Sequence, residues 1–209
     1  MPIAPLAAAT AAVLFFFQPG PAWQDYNKFG EDAFRAGKIE ESVKQFDRAI
    51  ELEPRLAPHH WQRGISLYYA GRFDDCRRQF EIHKTVNPED VENSVWHFLC
   101  VARLKSAAEA RKSLIEIHSD TRVPMMEVYA MFRGESTPAK VMAVAGRDRD
   151  ALFYAHLYIA LYHEAYRRPS EALTHIRLAV NDYGAGHYMG DVARIHLRLR
   201  APAAEGTAK

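Results

Sequence analysis

The sequence predicts an all-α fold, a right-handed α-α superhelix of stacked helix hairpins that ends in a C-terminal capping helix. The first observation is that glycine, phenylalanine and proline landmarks recur after 34 residues. The four pairs are Gly30 and Gly64, Gly37 and Gly71, Phe46 and Phe80, and Pro54 and Pro88. The second is that apolar residues between the landmarks recur every three or four positions, which is the period of an α-helix. A fixed period of this length is typical of repeat proteins, in which each hairpin buries its apolar face against the next.

Residues 1–22 are predicted to be a secretory signal peptide. The stretch 3–17 is almost wholly apolar, and it is shorter than the ~20 residues that a membrane-spanning helix needs. The small residues Gly20 and Ala22 suit a cleavage point before Trp23. No Lys or Arg occurs in the segment, so the positive charge that usually opens a signal peptide comes from the amino terminus alone. We favour export followed by cleavage; an uncleaved anchor and a plain apolar tail are the alternatives.

The first repeat spans about residues 23–56 and contains two predicted helices, 23–36 and 39–51. Apolar side chains of the second helix share one face: Ile39, Val43, Phe46 and Ile50. Gly30 needs no cofactor to explain it, because a residue without a side chain lets the two helices approach closely. Pro54 ends the second helix, since proline has no N–H to donate.

The second repeat spans about residues 57–90 and contains one of the two cysteines. Cys76 lies in its second helix, where the pattern favours a small buried residue, and Cys100 lies in the next predicted helix. Two cysteines are too few for a disulfide scaffold or a four-cysteine zinc site. We favour small buried hydrophobes as their role. A disulfide between them is the alternative in an oxidising compartment.

The repeat pattern weakens in the middle of the chain and then returns. A third copy, about 91–122, has lost its glycines, and residues 123–150 form a predicted helical insert without the period. The pattern resumes over 153–186. A final amphipathic helix, from about 191 to 199, is expected to cap the stack, and residues 201–209 read as a loose tail.

Net charge excludes some classes of partner. The 209 residues contain 27 Lys and Arg against 26 Asp and Glu, which gives a net charge of +1. Such a chain has no strong field to attract nucleic acid or anionic lipid. We therefore expect no nucleic-acid binding, and no stable membrane insertion once the signal peptide is removed.

The first two repeats resemble the tetratricopeptide repeat (TPR). In the first copy the resemblance rests on eight residues of the two helices and the closing turn: Tyr26, Phe29, Gly30, Ala33, Ser42, Phe46, Ala49 and Pro54. The resemblance implies a TPR-like domain over residues 23–200. Repeats of this superfamily bind other proteins and rarely catalyse a reaction.

Longer stretches are similar to one branch of that superfamily, the exported bacterial proteins of the NlpI-like type and the plastid TPR proteins of plants. These stretches are 61–69, 93–99, 154–158 and 187–189. NlpI-like proteins act as adaptors that bring proteases and cell-wall hydrolases to their targets. They carry a lipidated cysteine that this chain lacks, so their membrane attachment is not implied here.

The resemblance also implies a partner-binding groove, because the first helix of each TPR hairpin lines the concave side. The corresponding residues are Asn27, Glu31, Phe34, Arg35, Trp61, Ile65, Tyr68, Tyr69, Val95, Leu99 and Arg103. Aromatic side chains with Arg at the margin are common at binding hot spots. The alternative is that the aromatic residues belong to the core, covered by C-terminal helices that fold back over the groove.

We therefore expect an exported adaptor or scaffold for a protein or peptide, located in a periplasm, a plastid lumen or outside the cell. No cofactor, bound metal or enzymatic activity is expected, and a homodimer is compatible with the sequence.

Two other functions are alternatives to the role of adaptor or scaffold. A metal-dependent hydrolase would use the histidine-rich C-terminal half, where His156 and His163 share a helical face. However, Arg167 stands where a zinc-protease helix needs its second histidine. A helical-repeat RNA reader is disfavoured by the charge and by only two well-formed repeats.

Overall fold

The computed structural model describes residues 20–201, which form eleven α-helices and one 3₁₀ helix and contain no β-strand. The expected all-α class is confirmed for this part of the chain. The elements are α1 (Trp23–Arg35), α2 (Ile39–Leu52), a 3₁₀ helix (Pro54–His59), α3 (Trp61–Tyr69), α4 (Phe73–His83), α5 (Val91–Leu104), α6 (Ala107–Lys112), α7 (Met125–Arg133), α8 (Pro138–Ala145), α9 (Arg149–Ala165), α10 (Pro169–Asn181) and α11 (Tyr188–Arg200). Most of the predicted signal peptide, 1–19, and most of the predicted tail, 202–209, lie outside the described residues.

No helix within residues 20–201 combines the length and the apolar character that a membrane crossing requires. The insert predicted at 123–150 contains α7 and α8. The last helix begins at Tyr188, a few residues before the expected start.

Three helix pairs, α1–α2, α3–α4 and α9–α10, are joined by the same kind of turn. The middle turn residues, Gly37, Gly71 and Arg167, have φ angles of 74°, 75° and 58°. In each turn the N–H of the next residue donates to the carbonyl five positions earlier. This bond closes a helix C-terminus through a left-handed residue, a position that glycine occupies without steric cost. The third pair thus keeps the turn although arginine has replaced glycine.

Close packing between paired helices depends on glycine in the first two pairs. A Cβ atom added to Gly30 would lie 2.6 Å from the ring of Phe46, and one added to Gly64 would lie 2.7 Å from the ring of Phe80. Both phenylalanines are buried. The 34-residue period therefore reproduces one contact, in which a helix backbone rests on an aromatic ring.

We expect Gly64→Ala to lower the free energy of unfolding by about 1–3 kcal/mol, because the new methyl group must displace the buried ring of Phe80. Denaturant unfolding followed by circular dichroism measures this change. Adding Phe80→Leu should recover part of the loss by making room. If Gly64→Ala alone stabilises the protein, as alanine does in an open helix, the packing role of Gly64 is wrong.

The repeat also places equivalent residues opposite each other between neighbouring hairpins. Ser42 and Ser66, which are 24 positions apart, lie on α2 and α3 with their Oγ atoms 2.9 Å apart. Adding 34 to both numbers gives Cys76 and Cys100 on α4 and α5, and these form a disulfide with Cα atoms 5.9 Å apart. Our preference for two unbonded cysteines is therefore corrected, because the repeat register brings them within disulfide range.

Replacing both cysteines with serine, as in Cys76→Ser with Cys100→Ser, should preserve the fold, because the repeat one step earlier already carries serines at these positions. The free energy of unfolding should fall by about 3 kcal/mol, the loop-entropy contribution expected for a disulfide across 24 residues. Denaturant titration compares the two proteins. A count of two free thiols in the protein purified without reductant would contradict the disulfide.

Candidate functional site

The structure places most of the predicted groove residues inside the protein. Five are buried, with at most 2% of their surface exposed: Phe34, Ile65, Tyr68, Val95 and Leu99. Four are partly buried: Asn27, Glu31, Trp61 and Tyr69. The two arginines, Arg35 and Arg103, are exposed. Nearly half of the predicted set therefore belongs to the core.

The last helix, α11, covers several of the predicted groove residues. The ring of Tyr188 packs 5.4 Å from that of Phe34 and 5.2 Å from that of Trp61, measured between centroids. The Nε atom of Arg35 donates to Asp191 at 2.9 Å. These contacts agree with the alternative in which a C-terminal helix folds back over the groove. The partner-binding role of the predicted residues stays a prediction, chiefly for Trp61, which still borders open space.

A buried carboxylate fixes α11 in this position. Glu164 on α9 accepts a hydrogen bond from Tyr68 on α3 at 3.1 Å. It also pairs with His196 at 3.0 Å, Arg200 at 3.1 Å and Arg103 at 3.4 Å. Burial alone would raise the pKa of Glu164, but the hydrogen bond from His196 and the charge of Arg200 lower it to about 2. The carboxylate therefore stays ionised and joins four helices.

Beside this covered region lies a cleft of about 600 Å³, which we call the inner cleft. Its lining comes from α3, α4, α5, α9, the start of α11 and connecting segments. The main lining residues are Trp61, Phe80, His83, Asp90, Glu92, Asn93, Trp96, Arg122, Tyr154, His187 and Tyr188. The volume is within the range usual for sites that hold a small molecule or a few peptide side chains. Trp61 is its one residue from the predicted groove.

Three residues of the lining, Asn93, Trp96 and Tyr188, have buried polar atoms without a hydrogen-bond partner among the described residues. Asn93 is 1% exposed, and neither its Nδ2 nor its Oδ1 is paired. Trp96 is also 1% exposed, and its Nε1–H is unpaired. Each such group costs about 1–3 kcal/mol when it is buried without a partner. Native proteins satisfy most buried polar groups, so three exceptions in one cleft make it the candidate site.

One end of the inner cleft carries an excess of negative charge. Arg122 pairs with Asp90 at 2.6 Å, Glu92 at 2.7 Å and Asp120 at 2.6 Å. Glu92 also accepts a hydrogen bond of 2.8 Å from the hydroxyl of Tyr158. Burial and the neighbouring Asp90 raise the pKa of Glu92 to about 7, despite the opposing charge of Arg122. The single positive charge of Arg122 is thus shared by three carboxylates.

The histidines of the C-terminal half form a separate cluster. His156 and His175 have their Nδ1 atoms 2.9 Å apart, and the ring of His163 stacks 5.8 Å from that of His175. Burial lowers the pKa of His175 to about 4. Nowhere between residues 20 and 201 do three His, Cys, Asp or Glu side chains converge in a way that could hold a metal ion.

The sequence matches no known protein-family model. Sequence reasoning missed Glu92, Asn93, Trp96 and Arg122. A signal existed in α5, where Asn93 lies in a helix rich in apolar residues, but the sequence does not show whether a buried asparagine has a partner.

Replacing Asn93 with leucine, a side chain of similar shape, should raise the free energy of unfolding by about 1 kcal/mol or more, because it removes two unsatisfied polar atoms. The matched control is Ser94→Ala on the next residue. Ser94 is buried and donates to the carbonyl of Ile115 at 2.7 Å, so its loss should destabilise the protein by about 1 kcal/mol. Thermal and denaturant unfolding compare the variants. Equal destabilisation by both would mean that Asn93 is satisfied in the free protein.

Proposed function

We propose that this protein is an exported interaction module of the TPR type that binds a peptide segment of a partner protein in the inner cleft. The observation that carries the proposal is the Asn93 side chain, which offers one unpaired donor and one unpaired acceptor. A carboxamide of this kind complements the N–H and C=O of a peptide group. Binding would supply the hydrogen bonds that the free protein lacks.

The aromatic lining supports the same proposal. Trp61 and Tyr188 border the cleft and are only partly buried, so they provide apolar surfaces that lose little side-chain entropy on binding. Trp96 stacks on Phe80 with ring centroids 6.4 Å apart, so its position is held before a ligand arrives. A site held in place in this way lowers the entropic cost of association.

Two further observations support the repeat family and the export. The three helix pairs share one turn geometry at Gly37, Gly71 and Arg167, as expected of a repeat. The disulfide between Cys76 and Cys100 suits an oxidising compartment, since disulfides are rare in reducing ones. Export also agrees with the apolar stretch at residues 3–17.

The test is selection from a random peptide library with the full-length, oxidised protein. Selected peptides should bind the wild type and the Ser94→Ala variant alike. They should bind the Asn93→Leu variant at least about tenfold more weakly, which corresponds to the loss of one or two net hydrogen bonds. Circular dichroism confirms that the variants are folded. Peptides that bind all three proteins equally, or a selection that recovers no peptide, would contradict the proposal.

A further inference from the structure

The acidic end of the inner cleft lies beside the unpaired groups of α5. Trp96 follows Glu92 by four residues and Asn93 by three, which are the spacings at which helix side chains are neighbours. All three line the cleft. A ligand that pairs with Asn93 therefore extends naturally toward Glu92 at one end and the indole of Trp96 at the other.

The charge at that end is not balanced by the residues around it. Arg122 is shared among Asp90, Glu92 and Asp120. The side chain of Asp120 is only 4% exposed and that of Glu92 only 14%, so water does little to screen them. The other side chains of the lining that can carry a positive charge are histidines: His59, His83 and His187. Of these, His83 forms a hydrogen bond of 2.8 Å between its Nδ1 and the carbonyl oxygen of Pro58.

Resting on the proposed peptide-binding function, we infer that the bound peptide contributes a lysine or arginine side chain to this end. Its cationic head binds the carboxylates of Asp90 and Glu92 beside Arg122. Its alkyl stem lies along the aromatic lining of the cleft between these carboxylates and Asn93, as long basic side chains do when they bury their stems. The adjacent peptide group pairs with Asn93. The carboxylates and the carboxamide then have partners in one short segment.

The first test uses N-acetyl amino acid N-methylamides of arginine, lysine, norleucine and glutamate, which carry one side chain between two peptide groups. The reporter is the indole N–H of Trp96 in the NMR spectrum of full-length protein labelled with ¹⁵N, assigned from the Trp96→Phe spectrum. The arginine and lysine probes should shift this signal with a Kd at least tenfold lower than that of norleucine. Glutamate should cause no saturable shift. Putrescine, a diamine without a peptide group, should bind more weakly than either basic probe.

The second test removes negative charge without changing shape. Asp90→Asn with Glu92→Gln should weaken binding of the arginine probe at least tenfold and leave norleucine unchanged. Asp90 caps α5 by accepting from the N–H of Glu92 at 3.0 Å, and asparagine can keep this cap. The control is Glu109→Gln, which removes an exposed carboxylate paired with Lys112 on α6. It should change nothing.

Several results would overturn the inference. They are equal binding of the arginine and norleucine probes, no response to either basic probe, putrescine binding as tight as arginine, and insensitivity to the double substitution. The probe comparison needs only the wild type, so it remains decisive if the double variant fails to fold. Library peptides that depend on Asn93 but carry no basic residue would also overturn it while leaving the proposed function intact. If the library instead yields no peptide whose binding depends on Asn93, the proposed function itself is contradicted.

Discussion

The arrangement of the helices depends on one buried ion, the carboxylate of Glu164. An ionised carboxylate away from water is stable only when donors and cations surround it. Here they come from α3, α5 and α11, through Tyr68, Arg103, His196 and Arg200. Because α11 supplies two of these partners, its displacement would leave the charge of Glu164 less well balanced. The same contacts bury Tyr68 and cover the side on which a peptide would lie in an open repeat.

Although α11 covers several of the predicted groove residues, the inner cleft beside them remains open. The start of α11 places Tyr188 against Phe34 and Trp61, and the inner cleft opens just beyond. The two regions differ in whether their buried polar groups have hydrogen-bond partners. Glu164 has a partner for each of its oxygens, whereas Asn93 and Trp96 retain unpaired atoms. The unpaired atoms of the second region carry a cost in stability, which the proposed peptide binding would offset.

The sequence predicted the parts of the fold that follow from local spacing. The 34-residue period indicated the first two helix pairs and the close approach at Gly30 and Gly64, which the rings of Phe46 and Phe80 confirm. It could not indicate the contact between Tyr69 and His196, which are 127 positions apart. In predicting the groove we assumed that no helix covers its residues. The contact between Tyr69 and His196 is one of those that hold α11 over them. The inner cleft was missed for a related reason, because a residue such as Asn93 reveals its unpaired atoms only when all its neighbours are placed.

The disulfide connects the repeat to the cleft. The positions that Ser42 and Ser66 occupy between the first two hairpins are occupied by Cys76 and Cys100 one repeat later. That later interface joins α4, which supplies Phe80 and His83 to the cleft, to α5, which supplies Asn93 and Trp96. A hydrogen bond between serines would let these two walls separate at small cost, whereas a covalent bond does not. The disulfide therefore holds two walls of the cleft at a fixed spacing, and a cleft of fixed shape binds with less loss of entropy.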